Sequence, residues 1–166
     1  MPTARWRPQR PRAWWTPVPA LLLSFAMLAA SAAPGDQKSL VLKAESGLFA
    51  PGDGGDSGFV ASKVLPLKDG QPFGWRMQLR HPTRTVRVRE ELSLPAEPKT
   101  WGDPEPDLKR KTSPDGRSAI TELHLTPRNG VISQSWTVTN GDPKGTWVIR
   151  VRVEDGPEHV FRFDAR

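Results

Sequence analysis

Residues 145–153 read Gly-Thr-Trp-Val-Ile-Arg-Val-Arg-Val, and this alternation restricts the fold more than any other feature of the chain. Trp147, Ile149, Val151 and Val153 fall on one side of an extended backbone, and Arg150 and Arg152 on the other. Side chains of a strand switch faces at every residue, whereas a helix repeats at 3.6, so a period of two means a strand with one buried and one wet face. Phe161 and Phe163 against Arg162 repeat the pattern. Between the two runs stands Glu154-Asp155-Gly156-Pro157, and Asp-Gly is a strong hairpin signal. The sequence therefore predicts an antiparallel hairpin at its end.

The pattern recurs upstream. Phe73, Trp75, Met77 and Leu79 share one face, with Arg76 and Gln78 opposite; Val86 and Val88 point inward, with Arg87 and Arg89 outward. Leu123 and Leu125 oppose Glu122 and His124, and Ile132, Trp136 and Val138 fall together. Asn129-Gly130 between these last two runs predicts a second tight hairpin. Residues 40–49 and 59–67 read as two further strands, with Gly47 marking a bulge or a close backbone approach. After the N-terminal apolar run no stretch carries a helical stripe, and eighteen prolines and fourteen glycines work against helices. Short strands at regular spacing imply a sandwich or a barrel. The expectation is an all-β, immunoglobulin-like, two-sheet antiparallel β-sandwich of about seven to eight strands, with a closed barrel as the alternative. Trp136 and Trp147 suit its intersheet core.

The first 32 residues obey a different rule. Arg5, Arg7, Arg10 and Arg12 precede the first acid, Asp36, and Ala20–Ala30 forms an eleven-residue apolar run with one polar member. Ala30-Ser31-Ala32 fits the small-x-small cleavage frame, so residues 1–32 read as a signal peptide and residues 33–166 as one domain. A membrane span needs about 20 apolar residues, which this run does not reach. Cleavage removes four of the twenty-four basic residues and none of the eighteen acids, so the net charge falls from +6 to +2. That balance argues against nucleic acid as a partner. The expected location is periplasmic or secreted. With no cysteine, an exported chain of this size has no disulfide framework, and its core must stabilise it.

Little in the chain points to catalysis. His81, His124 and His159 are far apart, and no nucleophile motif flanks them; the last two are expected to face outward from strands. Asp53 and Asp56, in a glycine-rich turn, resemble a calcium loop only loosely, lacking the alternating carboxylates and the closing glutamate. Asp103, Glu105 and Asp107 alternate with prolines in a stretch without burial, where solvated acids are expected. No cofactor is expected. Residues 95–117, with five prolines, read as a long loop carrying Trp101 and the basic run Lys109-Arg110-Lys111. Arg87, Arg89, Arg150 and Arg152 form a patch if their strands are neighbours, and guanidinium groups suit phosphate and carboxylate. The plainer reading pairs them with Glu90, Glu91 and Glu122 across strands. The candidate binding residues are thus these four arginines and Trp101, with an envelope protein or an anionic envelope polymer as partner. A hydrolase whose acids converge in space is the alternative.

Glu45-Ser46-Gly47-Leu48-Phe49, Phe73-Gly74, and the C-terminal series Ser133-Gln134-Ser135-Trp136, Gly145-Thr146-Trp147 and Phe161-Arg162-Phe163 resemble the bacterial family DUF3859. The resemblance runs from about Leu40 to the end, although Phe49 stands where a tyrosine is expected. It implies an exported β-sandwich and supplies no catalytic or binding residues. Mass spectrometry of the mature protein is expected to find Ala33 at its N-terminus; a chain that keeps Met1 would mean that the apolar run is retained as an anchor.

Overall fold

The computed structural model describes residues 39–51, 58–80, 84–102 and 109–166. The expected signal peptide (residues 1–32), the turn with Asp53 and Asp56, His81, and the acids at 103, 105 and 107 lie outside the described residues. The described residues form ten strands: β1 (Val41–Leu48), β2 (Val60–Ala61), β3 (Val64–Leu65), β4 (Pro72–Leu79), β5 (Val86–Ser93), β6 (Lys109–Thr112), β7 (Ser118–Leu125), β8 (Val131–Thr137), β9 (Gly145–Val153) and β10 (Glu158–Ala165).

These strands make two sheets, ordered β2-β1-β4-β8 and β3-β10-β9-β5-β7-β6. Every pair is antiparallel except β3 with β10. The alternating residues do what their period requires. Trp147, Ile149, Val151 and Val153 of β9 are buried, and so are Phe73, Trp75, Met77 and Leu79 of β4 on the facing sheet. Phe73 meets Trp147 and Phe163 edge to face, at centroid distances of 5.3 and 5.5 Å, and the Trp147 indole N–H donates to the Pro143 carbonyl at 2.8 Å. Each such side chain stabilises the fold by about 1.5–3 kcal/mol through burial. Strands β1, β4 and β8 occupy the A, B and E positions of an immunoglobulin-type sandwich, and β10, β9 and β5 the G, F and C positions. The C-terminal hairpin forms as expected, β9 pairing β10 in full antiparallel register.

Four expectations change. Asn129 and Gly130 make the two-residue turn, both with positive φ (50° and 80°) and with Arg128 and Val131 exchanging two 2.9 Å main-chain hydrogen bonds. Yet β7 and β8 do not pair as a hairpin; they belong to opposite sheets, because both edges of β7 are taken by β5 and β6. Residues 59–67 are not one strand but two short ones: β2 joins β1, and β3 joins β10 in the other sheet. Residues 95–117 are not all loop, since Lys109–Thr112 forms edge strand β6 along β7. Its turn back, Ser113-Pro114-Asp115-Gly116, carries the Pro-Asp-Gly signal of a tight turn. Finally, His159 does not face outward. It shares its face of β10 with Phe161 and Phe163, half-buried, its Nε2 enclosed without a hydrogen-bond partner among the described residues, and burial lowers its pKa.

Gly47 marks a close backbone approach: a Cβ there would stand 2.1 Å from the Val60 carbonyl oxygen. Gly74, its register partner on β4, is equally confined, with the Gln134 carbonyl oxygen 2.1 Å from a would-be Cβ. Gly74→Ala is therefore expected to destabilise the domain by about 1–3 kcal/mol, the usual range for overpacking, through a lower urea midpoint. An unchanged midpoint would show that β4 and β8 yield freely.

Candidate functional site

Strand β5 presents Val86, Val88, Glu90 and Leu92 to the interior in strict alternation, so a carboxylate occupies a core position. Glu90 is fully buried. It is therefore not a cross-strand partner of the surface arginines, and the parity of residues 86, 88, 90 and 92 is the sequence signal that places it inside. Two tryptophans of the facing sheet reach it: the Trp75 indole N–H on β4 donates to Oε2, and that of Trp136 on β8 donates to Oε1. Burial raises the Glu90 pKa, against the opposing pull of the two indole donors and the Arg110 charge.

Across the six-stranded sheet Glu90 lies opposite Thr121 of β7, and Thr121 opposite Arg110 of β6, which gives a polar row toward one edge. The Thr121 hydroxyl and Arg110 Nε are enclosed without hydrogen-bond partners among the described residues. The Arg110 guanidinium lies 4.5 Å over the Trp136 ring, and its Nη1 donates to the Trp101 carbonyl at 2.7 Å. Burial lowers the Arg110 pKa, and the charge of Glu90 partly offsets this. Trp101 meets Trp136 edge to face at 5.9 Å and donates its indole N–H to the Gly116 carbonyl at 2.9 Å. Trp101, which the sequence places in a loop, packs on the core edge.

Beside this stack opens a cleft of about 270 Å³. Leu94, Pro98, Trp101, Trp136 and Trp147 give it an apolar floor, and Thr100, Gln134, Ser135, Thr137 and Thr139 a neutral rim. Arg110 and Asp142 line it as well, one charge of each sign. Asp142 caps its own turn, accepting from the Thr139 N–H at 2.8 Å and the Thr139 hydroxyl at 3.1 Å.

The four arginines named from sequence stand on the outer face of the six-stranded sheet. Arg89 lies opposite Arg152, Arg150 opposite Glu91, and Arg87 opposite His124. Each is within 4 Å of an acid: Arg87 with Asp155 at 2.9 Å, Arg89 with Glu122 at 3.9 Å, Arg150 with Glu91 at 3.9 Å and Arg152 with Glu158 at 3.8 Å. Exposed pairs of this kind contribute about 0–1 kcal/mol each. Trp101 lies with the inner-face side chains, so the five residues do not make one site. Among the described residues, no three histidines or acids stand together as metal ligands would.

A two-sheet sandwich with these strand positions defines the chain as an immunoglobulin-like β-sandwich domain. Residues 44–166 match the family model of the PM0630 beta sandwich domain, and the chain belongs to that family. Two solved structures are similar over most of their length. One is an immunoglobulin-like protein (PA1606) from Pseudomonas aeruginosa, 18% identical, with a TM-score of 0.49, covering 77% of this chain and 95% of that one. The other is the PmoD soluble domain from Methylocystis sp., 19% identical, with a TM-score of 0.36, covering 78% and 98%. No curated protein matches the chain.

Glu90→Ala leaves one buried indole N–H (Trp75) and one partly buried one (Trp136) without their acceptor, at about 1–3 kcal/mol for a buried one, and is expected to destabilise the domain by about 2 kcal/mol or more. The pH dependence has a definite sign. A raised folded-state pKa means that the folded chain holds the proton more tightly, so this stabilisation is full below the unfolded value near 4.5 and fades as pH rises through the folded value. Glu90→Gln stays neutral, so the stability of the wild type relative to Glu90→Gln should fall as pH rises above 4.5. A difference independent of pH in urea titrations from pH 4 to 8 would refute the assignment.

Proposed function

We propose that the chain is an exported, non-catalytic binding module of the bacterial envelope, and that it holds a segment of another envelope protein at the Trp101–Trp136 cleft. The cleft carries this reading. Pockets for drug-sized ligands run about 300–1,000 Å³, and a volume of about 270 Å³ with an apolar floor suits one or two side chains of a polypeptide better. Export rests on the N-terminal segment and on the resemblance to DUF3859. The non-catalytic reading is supported by the state of the acids: the oxygens of Glu90 are enclosed and taken by indoles, and Asp142 is committed to its turn. A hydrolase needs an accessible pair, and the lining of the cleft offers one carboxylate among the described residues.

A second reading, an anionic envelope polymer on the arginine face, draws on one observation: Arg89 and Arg152 stand opposite each other with like charge. The acid partners of all four arginines weaken it. A photo-crosslinking amino acid at Thr100 or Thr137, on the cleft rim, is expected to capture an envelope protein in the producing cells, whereas the same probe at Arg89 or Arg152 captures none. Capture from the arginine positions alone would reverse the assignment.

A further inference from the structure

Sheet edges expose rows of main-chain donors and acceptors, and natural sandwiches blunt them with short strands, charge, proline or bulges. Among the described residues, three of the four sheet edges follow that rule. Strands β2 and β3 are two residues each and leave most of β1 and β10 uncovered, but β1 carries Lys43, Glu45 and a register shift, and β10 carries Glu158, Arg162 and Asp164; β6 is four residues of which three are Lys109, Arg110 and Lys111. The fourth edge does not. Strand β8, Val-Ile-Ser-Gln-Ser-Trp-Thr, is seven residues long, holds no charge and no proline, and pairs β4 without a register shift.

The ladder shows which groups of β8 are unused. Ile132, Gln134 and Trp136 lie opposite Met77, Trp75 and Phe73. In the same phase the Leu79 N–H donates to the Gly130 carbonyl at 2.8 Å, and the Val138 N–H to the Gln71 carbonyl at 3.0 Å. The even-numbered residues thus spend their main-chain groups on β4, and those of Ser133, Ser135 and Thr137 point to the open edge. Among the described residues their one hydrogen bond is a long one, from Gln134 Nε2 to the Ser135 carbonyl at 3.4 Å. A constant-type immunoglobulin sandwich places strand D here, beside E.

We propose that β8 accepts an extended segment of another polypeptide as an added strand. Donor–acceptor pairs at every second residue repeat at about 7 Å, a spacing that another extended backbone reproduces. In strand addition the main chain gives affinity, and pockets for alternate side chains give specificity. Both are present, because Gln134, Ser135, Trp136 and Thr137 of β8 also line the cleft. The partner segment is uncharged where it meets β8, since β8 itself carries no charge, and it lays one aromatic or aliphatic side chain on the floor made by Trp101 and Trp136. This rests on the cleft being the binding site, as proposed above.

The test uses the mature protein and a phage library of random 12-residue peptides. Enriched peptides are expected to be uncharged around one aromatic or aliphatic anchor. A synthetic copy should slow hydrogen exchange at the amides of Ser133, Ser135 and Thr137. Ser135→Pro removes an outward N–H that the sheet does not use and should weaken binding more than tenfold with the circular dichroism unchanged. Ser135→Lys serves the same purpose should the proline variant unfold. Trp101→Ala should weaken binding as well. Loss of binding with Trp101→Ala alone, without amide protection, would remove strand addition and leave the cleft. If no peptide is enriched, or neither variant matters, both readings fail. A wild type that is dimeric in the ultracentrifuge and monomeric as Ser135→Pro would give the edge to a second copy and overturn the proposal.

Discussion

The two sheets are joined through one carboxylate. Glu90 projects from β5 into the core, and each of its oxygens accepts an indole N–H from the opposite sheet, one from β4 and one from β8. Antibody-type sandwiches span the same gap with a disulfide between strands B and F and a tryptophan on strand C. This chain has no cysteine. Here strand C carries the acid, and strands B and E carry the tryptophans. Hydrophobic contact between sheets is non-directional and would tolerate sliding; two N–H donors aimed at two oxygens tolerate far less. Removing Glu90 alone leaves both indole donors without an acceptor and costs stability, whereas the pairing geometry of two donors and two oxygens is what aligns the sheets.

That alignment propagates to the edge. Trp136, held by Glu90, is the surface on which the Arg110 guanidinium lies, and Arg110 in turn donates to the Trp101 carbonyl. Trp101 closes the series by packing on Trp136 and donating to Gly116 in the turn after β6. The cleft is therefore shaped by contacts that begin inside the core. A segment read from sequence as loop is fixed at Trp101 and Arg110 by hydrogen bonds within it and by the Trp136 ring on β8.

The period of two made most of the architecture legible, because burial of one face is a local property of each strand. Four of the features that the period does not reveal have identifiable reasons. Glu90 had the parity of a core residue, but its chemistry outweighed its phase, and its partners Trp75 and Trp136 lie on other strands. Strand β6 has no apolar side chain, so no alternation announced it; its inward residue is Arg110. Asn129-Gly130 specified a reversal without specifying which edges would pair, and β5 and β6 had already filled both edges of β7. The phase of His159 follows from Phe161 and Phe163, although a polar residue at a strand start reads as solvent-facing. The parts of the site that sequence could not assemble are those defined by register between distant strands.

The distribution of charge follows the same logic. On the six-stranded sheet each of the four arginines of the outer face has an acid within 4 Å, and the far edge is lysine-rich, so that edge does not invite another strand. The four-stranded sheet ends in β8, whose outward side chains Ser133, Ser135 and Thr137 are small and neutral. Charge on this molecule contributes little to stability, pair by pair, and much to restricting where another chain can pair with it. Because β8 also bears Trp136, the unguarded edge and the carboxylate that positions the cleft belong to one continuous set of contacts. Changes at Glu90 should therefore be felt at β8 before they are felt on the arginine face, which lies on the other side of β5.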